Sequence, residues 1–596
     1  MAHRLPRIVT LAAAALAVAA GSAQAATYYV DGATGTDALA GTTQATAWKT
    51  ISRVNSVRFV AGDTVLFRGG ATYPGMLSPH AVGSAAAPVV FGAYGTGRPV
   101  LDGSAGGFAG IEIDYASRFV TFRGLEIRNY SNEAAYLVDG SNITFDDLYA
   151  HDNPNGIWVG GSSAGVKNVT ISNSRIFASI SKGIVVNNSN DQSTGWIYRD
   201  SEFANAGDSC ILDWPGQSTY ERVNVHHCGY DASLTHGKHG IYLKGSGSVI
   251  RDSELSDVFM GVGGGSCISP RGGGQLIGNR LHGCPSGIGW FDYTRAASSK
   301  LVIRRNAVYG YRDFGIYADK VCSCNVNPYN VANHTVEFDV ANNTFAAGTT
   351  AGGASQYGVV FAGAETGHTM DVRFDNNIVA GTLDGPALQL FNSRPGTYAG
   401  TGNAYFDTSG TSQLLVAGRN YSATALPGEH GSVIADPSFT NATLAAADLS
   451  LRSTSALRDR GTATPVTGAL QGGCAAIVDA FCGAAPEPGA FELDGAVPPT
   501  SPPPATGPTP TAPKQQDKPP RPSHLKVERG ARRLSAHWRS NGARSFRVYV
   551  DGRLRRTTST PRLSSVKLVA GRHKISIAAV VGGVESTRTS TVVKFG

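Results

Sequence analysis

Lys244 and Arg271 are the residues of this chain whose type and spacing point most directly to chemistry. Each stands four positions after the small residue that opens a short recurring segment. Gly240-Ile241-Tyr242-Leu243 precedes Lys244, and Cys267-Ile268-Ser269-Pro270 precedes Arg271. If the two segments are neighbouring strands, these side chains lie one strand spacing apart, about 4.8 Å. Two cations that close repel unless an anion sits between them. The same repulsion lowers the pKa of the lysine, toward a range where it can accept a proton. Trp214 holds the equivalent position one segment earlier, and Tyr242 lies within the segment before Lys244, so aromatic faces flank the cations. His236, Lys238 and His239 belong to an insert, residues 229–239, that leads straight into Lys244. Lys244 and Arg271 are therefore the candidate catalytic pair, as base and charge stabiliser. Trp214, Tyr242, His236, Lys238 and His239 are the candidates for holding a substrate. Asp208, Asp213 and Asp231 stand nearby, and oxygen donors from adjacent coils suit Ca2+.

The elements that would position these residues repeat along the chain. The same small-aliphatic-any-aliphatic pattern appears as Gly156-Ile157-Trp158-Val159, Gly183-Ile184-Val185-Val186, Cys210-Ile211-Leu212-Asp213, Gly287-Ile288-Gly289-Trp290, Gly315-Ile316-Tyr317-Ala318 and Gly358-Val359-Val360-Phe361. Most copies are separated by roughly 25–30 residues, a solenoid period. Alternation within each copy is strand periodicity. One short strand cannot bury its own apolar face, whereas stacked strands bury a continuous core. The pattern predicts an all-β parallel β-helix of about ten coils between about Phe91 and Phe406. Its outward column reads Gly160, Asn187, Trp214, Lys244, Arg271, Phe291, Asp319. A second column, Ser174, Ser201, Ser253, Asn279, Asn306, Asn343 and Asn377, predicts a hydrogen-bonded ladder in one line of turns.

The ends of the chain differ from this middle. Residues 1–25 read as a signal peptide: Arg4 and Arg7, an apolar run from Ile8 to Ala20, and Ala23-Gln24-Ala25 as a cleavage pattern. No later segment is apolar enough for a transmembrane span, which predicts a secreted, extracellular protein or one associated with a cell surface. Residues 26–494 form the β-helix domain, with 27–75 as an N-terminal cap carrying a short helix near Trp48–Val54. Residues 495–523 are a Pro/Thr-rich linker, and 524–596 a small β-sandwich. Residues 514–596 hold 19 Lys and Arg against 4 Asp and Glu, a net +15, while residues 26–513 hold 30 against 40, a net −10. Such a basic end suits an anionic cell wall or simply keeps the chain soluble. Eight cysteines in an exported chain predict disulfides, with Cys210–Cys228, Cys267–Cys284 and Cys474–Cys482 as local pairs.

Tyr28-Tyr29-Val30-Asp31, Trp48-Lys49-Thr50-Ile51, Gly62-Asp63-Thr64-Val65 and Arg68-Gly69-Gly70 resemble the start of secreted bacterial right-handed parallel β-helix proteins. Ala435-Asp436-Pro437-Ser438-Phe439, Asp448-Leu449-Ser450-Leu451 and Gly489-Ala490-Phe491-Glu492 resemble their closing segments. The resemblance spans about residues 27–494. It implies a right-handed coil and a fold shared by pectate lyases, chondroitinase B-type lyases, epimerases and some glycoside hydrolases. The last unit resembles a fibronectin type III domain. For the lyases, the resemblance implies β-elimination from a uronic-acid polymer with Lys or Arg as base and often Ca2+ on the substrate carboxylate. On this reading Lys244 is the base, Arg271 the charge stabiliser, and the partner an acidic polysaccharide. No nucleic acid is expected, and the chain is expected to be a monomer. A glycoside hydrolase would instead need two carboxylates, drawn from Asp213, Asp292 and Asp319. A non-catalytic glycan binder would use the outward aromatics Trp158, Tyr242 and Tyr317 alone.

Overall fold

The computed structural model describes residues 25–462 except 115–116, 161–164, 179–184, 188–192, 232, 260–264, 293–295, 323–332, 349–356, 382, 393, 409–412 and 443–446. It also describes 485–492, and 522–595 except 530–532, 540–544, 551–552, 559, 568–570, 582–583 and 587. The proposed signal peptide up to residue 24, most of the linker, and the pair Cys474 and Cys482 lie outside the described residues.

Three parallel sheets of 17, 14 and 13 strands carry the chain from Thr27 to Ile434. A representative coil gives Thr219–Glu221 to the first sheet, Asn224–Cys228 to the second and Ile241–Leu243 to the third. In the third sheet the recurring aliphatic position is in register from coil to coil, except that in the Gly183 segment Val185, one place after Ile184, takes it, so Asn187 pairs with Val159 and Asp213 and is out of register with the outward column of Gly160 and Trp214 expected for it. Ile157 pairs with Val185, Val185 with Ile211, Ile211 with Ile241, and Ile241 with Ile268. Ile268 then pairs with Ile288, Ile288 with Ile316, and Ile316 with Val359. Only the last pair of that sheet, Leu414–Val416 with Arg419–Tyr421, is antiparallel. The solenoid is thus longer than the ten coils expected, because parallel pairing begins before the regular repeat, already at Thr27–Val30 with Thr64–Arg68.

Side chains at alternate strand positions point inward and stack on their equivalents one coil away. Phe91, Phe122 and Phe145 form one such stack, with ring centroids 5.2 and 5.6 Å apart. Tyr198 and Tyr220 form another at 4.4 Å. The Ser/Asn column is realised as a ladder, interrupted at one coil where Val223 occupies the rung and donates its N–H to Ser253 Oγ. The backbone N–H of Ser174 donates to Ser201 Oγ, that of Ser253 to Asn279 Oδ1, that of Asn279 to Asn306 Oδ1, and that of Asn306 to Asn343 Oδ1. It runs two rungs further than the sequence pattern, through Asn403 and Ser432. These bonds satisfy turn groups that a coil of short strands would otherwise bury unpaired.

The cap helix, Ile51–Asn55, is closed by the Thr50 side chain on the Arg53 N–H and buries Ile51 and Val54. Disulfides join Cys210 to Cys228 and Cys267 to Cys284, each bridging the third sheet to the second within a neighbouring pair of coils. Cys322 is also disulfide-bonded. After the last coil the chain returns over the outer face of the second sheet. Leu449 and Phe491 cover Ala307, Tyr309 and Ala346, and Gly489 N–H bonds Asn376 O at 2.7 Å.

The chain divides into two compact units, 1–504 and 505–596. The second consists of a three-stranded and a five-stranded antiparallel sheet. Trp538 and Leu563 of one sheet share a core with Phe546, Ile575 and Ile577 of the other, a β-sandwich.

Candidate functional site

The outward face of the third sheet carries a groove of about 740 Å³ at the coils of Lys244 and Arg271. Its depth follows from the sequence of one outward column. Tyr242 pairs with Ser269, and Gly289 pairs with Tyr317, so two small residues lie between two large ones. A Cβ on Gly289 would come within 2.2 Å of Ser266 Oγ, so a larger residue there would displace the Ser266 hydroxyl and fill the groove floor. Arg271 folds into the space left by the small residues and donates to Ser269 Oγ at 2.8 Å. Its guanidinium carbon stands 4.6 Å from the ring centroids of both Tyr242 and Phe291. Lys244 Nζ stands 3.9 Å over Trp214 and 5.3 Å from Tyr242. Both cations line the groove, and neither makes an ion pair with a described carboxylate. Burial, and then the Arg271 charge, holds the Lys244 pKa below its ordinary value. Burial likewise lowers Arg271.

The 229–239 insert forms one wall through His236, Gly237 and His239. His236 Nε2 is 3.0 Å from Asp208 Oδ1, at the rim. His239 is buried; its ring Nδ1 accepts the Ser266 N–H at 3.0 Å, and its backbone N–H donates to Ser209 Oγ at 3.0 Å. That leaves Nε2 to carry the ring proton. Burial, then Arg271 and His236, push its pKa down to about 3, so the ring is neutral and cannot serve as a proton acceptor at Nδ1. Gly265 permits this packing, since a Cβ there would lie 2.4 Å from His239 Nδ1.

Several expected residues are placed elsewhere. Lys238 does not face the groove. It is fully buried, donates from Nζ to Asp231 O at 2.8 Å and lies 4.7 Å over Phe259, so it braces the insert from within. Trp214 supports Lys244 from beneath and does not line the groove itself. Asp213 points into the core, because the third residue of its strand is an inward position, and it accepts the Tyr220 hydroxyl at 3.0 Å. Asp231 holds its own turn through Ser233. Asp208, Asp213 and Asp231 therefore do not converge on a common point and do not fit a Ca2+ cage. Among the described residues no three His, Cys, Asp or Glu side chains are grouped to hold a metal ion. Of the paired-carboxylate candidates, Asp292 is also buried, accepting the Cys322 N–H and bonded to His334 Nε2, each at 2.8 Å. Asp319 remains on the outer face, where it accepts from the Tyr317 hydroxyl at 3.3 Å. Ser209, Ser266, Phe291 and Phe314 shape the site without having been singled out as site residues. The serines precede the cysteines that open their strands, the one signal that could have found them. His226 and His227 lie on the second sheet with Glu202 and Asp257, away from the groove.

The match to a family model agrees with this architecture. Residues 109–211 and 192–398 match the family described as "Right handed beta helix region". No curated protein matches the chain. Among solved structures it is similar to a GH136 lacto-N-biosidase from Eubacterium ramulus, at 14% identity over 64% of this chain and 67% of that one, with a TM-score of 0.39. It is similar to the pectate lyase Pel9A at 16% identity over 78% and 96%, with a TM-score of 0.35. It is also similar to an alginate lyase from Paenibacillus at 16% over 48% and 91%, with a TM-score of 0.31. No helix among the described residues is long and apolar enough to cross a membrane, and the two disulfides fit an oxidising compartment.

Proposed function

We propose that the chain is a secreted lyase that cleaves an acidic polysaccharide by β-elimination in this groove. The observation that carries the reading is the pair Lys244 and Arg271, half-buried cations without carboxylate partners, side by side on aromatic rings. Such a pair is complementary to a substrate carboxylate. Arg271 would bind the uronate carboxylate and stabilise negative charge that develops on it. Lys244, in its neutral form, would take the proton from the carbon beside that carboxylate. The electron pair of the broken C–H bond forms the new C=C bond and expels the glycosidic oxygen, which leaves with a proton from solvent. His239 would donate from Nε2 to a substrate oxygen. The step is written without a metal, because the three candidate aspartates do not converge.

The test is ultraviolet absorbance of the unsaturated uronate product across a panel of acidic polysaccharides. Lys244→Ala should lower turnover at least about 100-fold, the range of general base catalysis, with thermal unfolding nearly unchanged. Full activity of the variant on a confirmed substrate would end this assignment. A wild-type chain that binds but never yields product would instead be a glycan-binding module. The basic last unit is read as a tether to anionic cell wall, so removal of 505–596 should abolish salt-releasable retention on such walls.

A further inference from the structure

We infer that the groove recognises a heteropolysaccharide in which a uronic acid is flanked by neutral sugars, and discriminates against homopolymers of uronic acid. The inference rests on the reading of the groove given above and concerns which polymer it accepts.

Charge along the groove is concentrated at one point. Lys244 and Arg271 contact the same Tyr242 ring, so together they match one carboxylate and not a row of them. The lining also holds Asp208 and His236, which are bonded to each other. His239 is neutral. On either side of the cations the lining turns aromatic: Trp158 toward the N-terminal coils, and Phe291, Phe314 and Tyr317 toward the C-terminal ones. Phe314 and Tyr317 lie 4.9 Å apart, and Phe291 and Tyr317 5.7 Å, so these rings form one continuous face.

A homopolymer of uronic acid presents a carboxylate on every sugar. In this groove its neighbours would meet rings that offer no countercharge, the acidic Asp208 in the lining, and Asp319 on the outer face beside Tyr317, just outside the lining. A carboxylate brought beside these loses hydration without gaining a partner. A neutral sugar has no such cost, and its C–H face stacks on an aromatic ring. The arrangement of one cationic point between two aromatic stretches is therefore matched by one acid between neutral sugars.

The experiment is native gel retardation of the full chain by four polymers. Hyaluronan and rhamnogalacturonan alternate uronate with neutral sugar, and polygalacturonate and alginate do not. Product absorbance is recorded separately on the same polymers. The expected result is at least about ten-fold tighter retention by an alternating polymer. Phe314→Ala should weaken that retention several-fold and leave homopolymer retention as it was, while Asp319→Asn should raise homopolymer retention. Equal or tighter retention by polygalacturonate or alginate, or no retention by any of the four, overturns the inference. Product from a homopolymer that is also held more tightly overturns it while leaving the lyase reading intact. Retention by an alternating polymer with no product from any polymer supports the inference and overturns the lyase reading.

Discussion

Lys244 and Arg271 sit against one ring, with Nζ of the first 5.3 Å and the guanidinium carbon of the second 4.6 Å from the centroid of Tyr242. The ring's negative face tempers their mutual repulsion, and Trp214 does the same for Lys244 from the other side. The pair can therefore remain together on a half-buried surface without a carboxylate between them.

This relationship sets a pH dependence. Proton abstraction needs the neutral amine, which is populated above the folded pKa of Lys244. That pKa is held below the ordinary lysine value by burial first and by Arg271 second. Replacing Arg271 by Ala removes the second cause, so the acid limb of the kcat/KM profile should move to higher pH. The plateau should also fall by about 100-fold, the scale for losing a charge-stabilising donor. A limb that stays in place or moves to lower pH would separate Arg271 from the titration of Lys244.

Asn306 joins three coils, accepting the Asn279 N–H at Oδ1 and donating from Nδ2 to Leu276 O at 2.8 Å. Asn306→Ala leaves these buried groups unpaired and should cost about 2–4 kcal/mol in urea unfolding. Asn306→Ser should lose less, since serine fills the same rung at Ser174 and Ser253.

The bridges Cys210–Cys228 and Cys267–Cys284 close loops of 18 and 17 residues beside the groove. Replacing either pair by Ala should lower stability by about 3 kcal/mol on the loop-entropy estimate. Peptide mapping without reductant should recover both native pairs.

On the second sheet, burial opposes the charged form of His151, but hydrogen bonds to Asp152 and Glu126 overcome it and hold its pKa at about 9. The folded value lies above the ordinary 6.5, so this stabilisation is complete below about pH 6.5 and is lost as pH rises through about 9. His151→Gln should flatten the fall in Tm across that window. An unchanged slope would mean that the ring titrates normally.

The period of the recurring segment and the alternation inside it were enough to place most aliphatic core positions, and the pairings from Ile157 to Val359 follow them except in the Gly183 segment, where Val185 and not Ile184 takes the position. The Ser/Asn ladder was equally legible, because a repeated polar residue at one phase of a solenoid has its own copies as neighbours. The adjacency of Lys244 and Arg271 followed from the same counting. These are properties of a one-dimensional stack, in which sequence offset and spatial offset are the same quantity.

The insert broke that equivalence. Lys238 and His239 are consecutive, yet one braces the insert against Phe259 and the other lines the groove, and no period governs that choice. Asp213 was a candidate ligand by residue type, while its phase on the strand sent it inward to Tyr220. The depth of the groove depended on Ser269 and Gly289 lying between Tyr242 and Tyr317, a relation among four coils. What the sequence by itself determined was the column to which each strand residue belongs. What only the tertiary structure decided was how inserts close over those columns and which side chains stay unpaired, because packing across coils and burial, unlike strand phase, have no period to read.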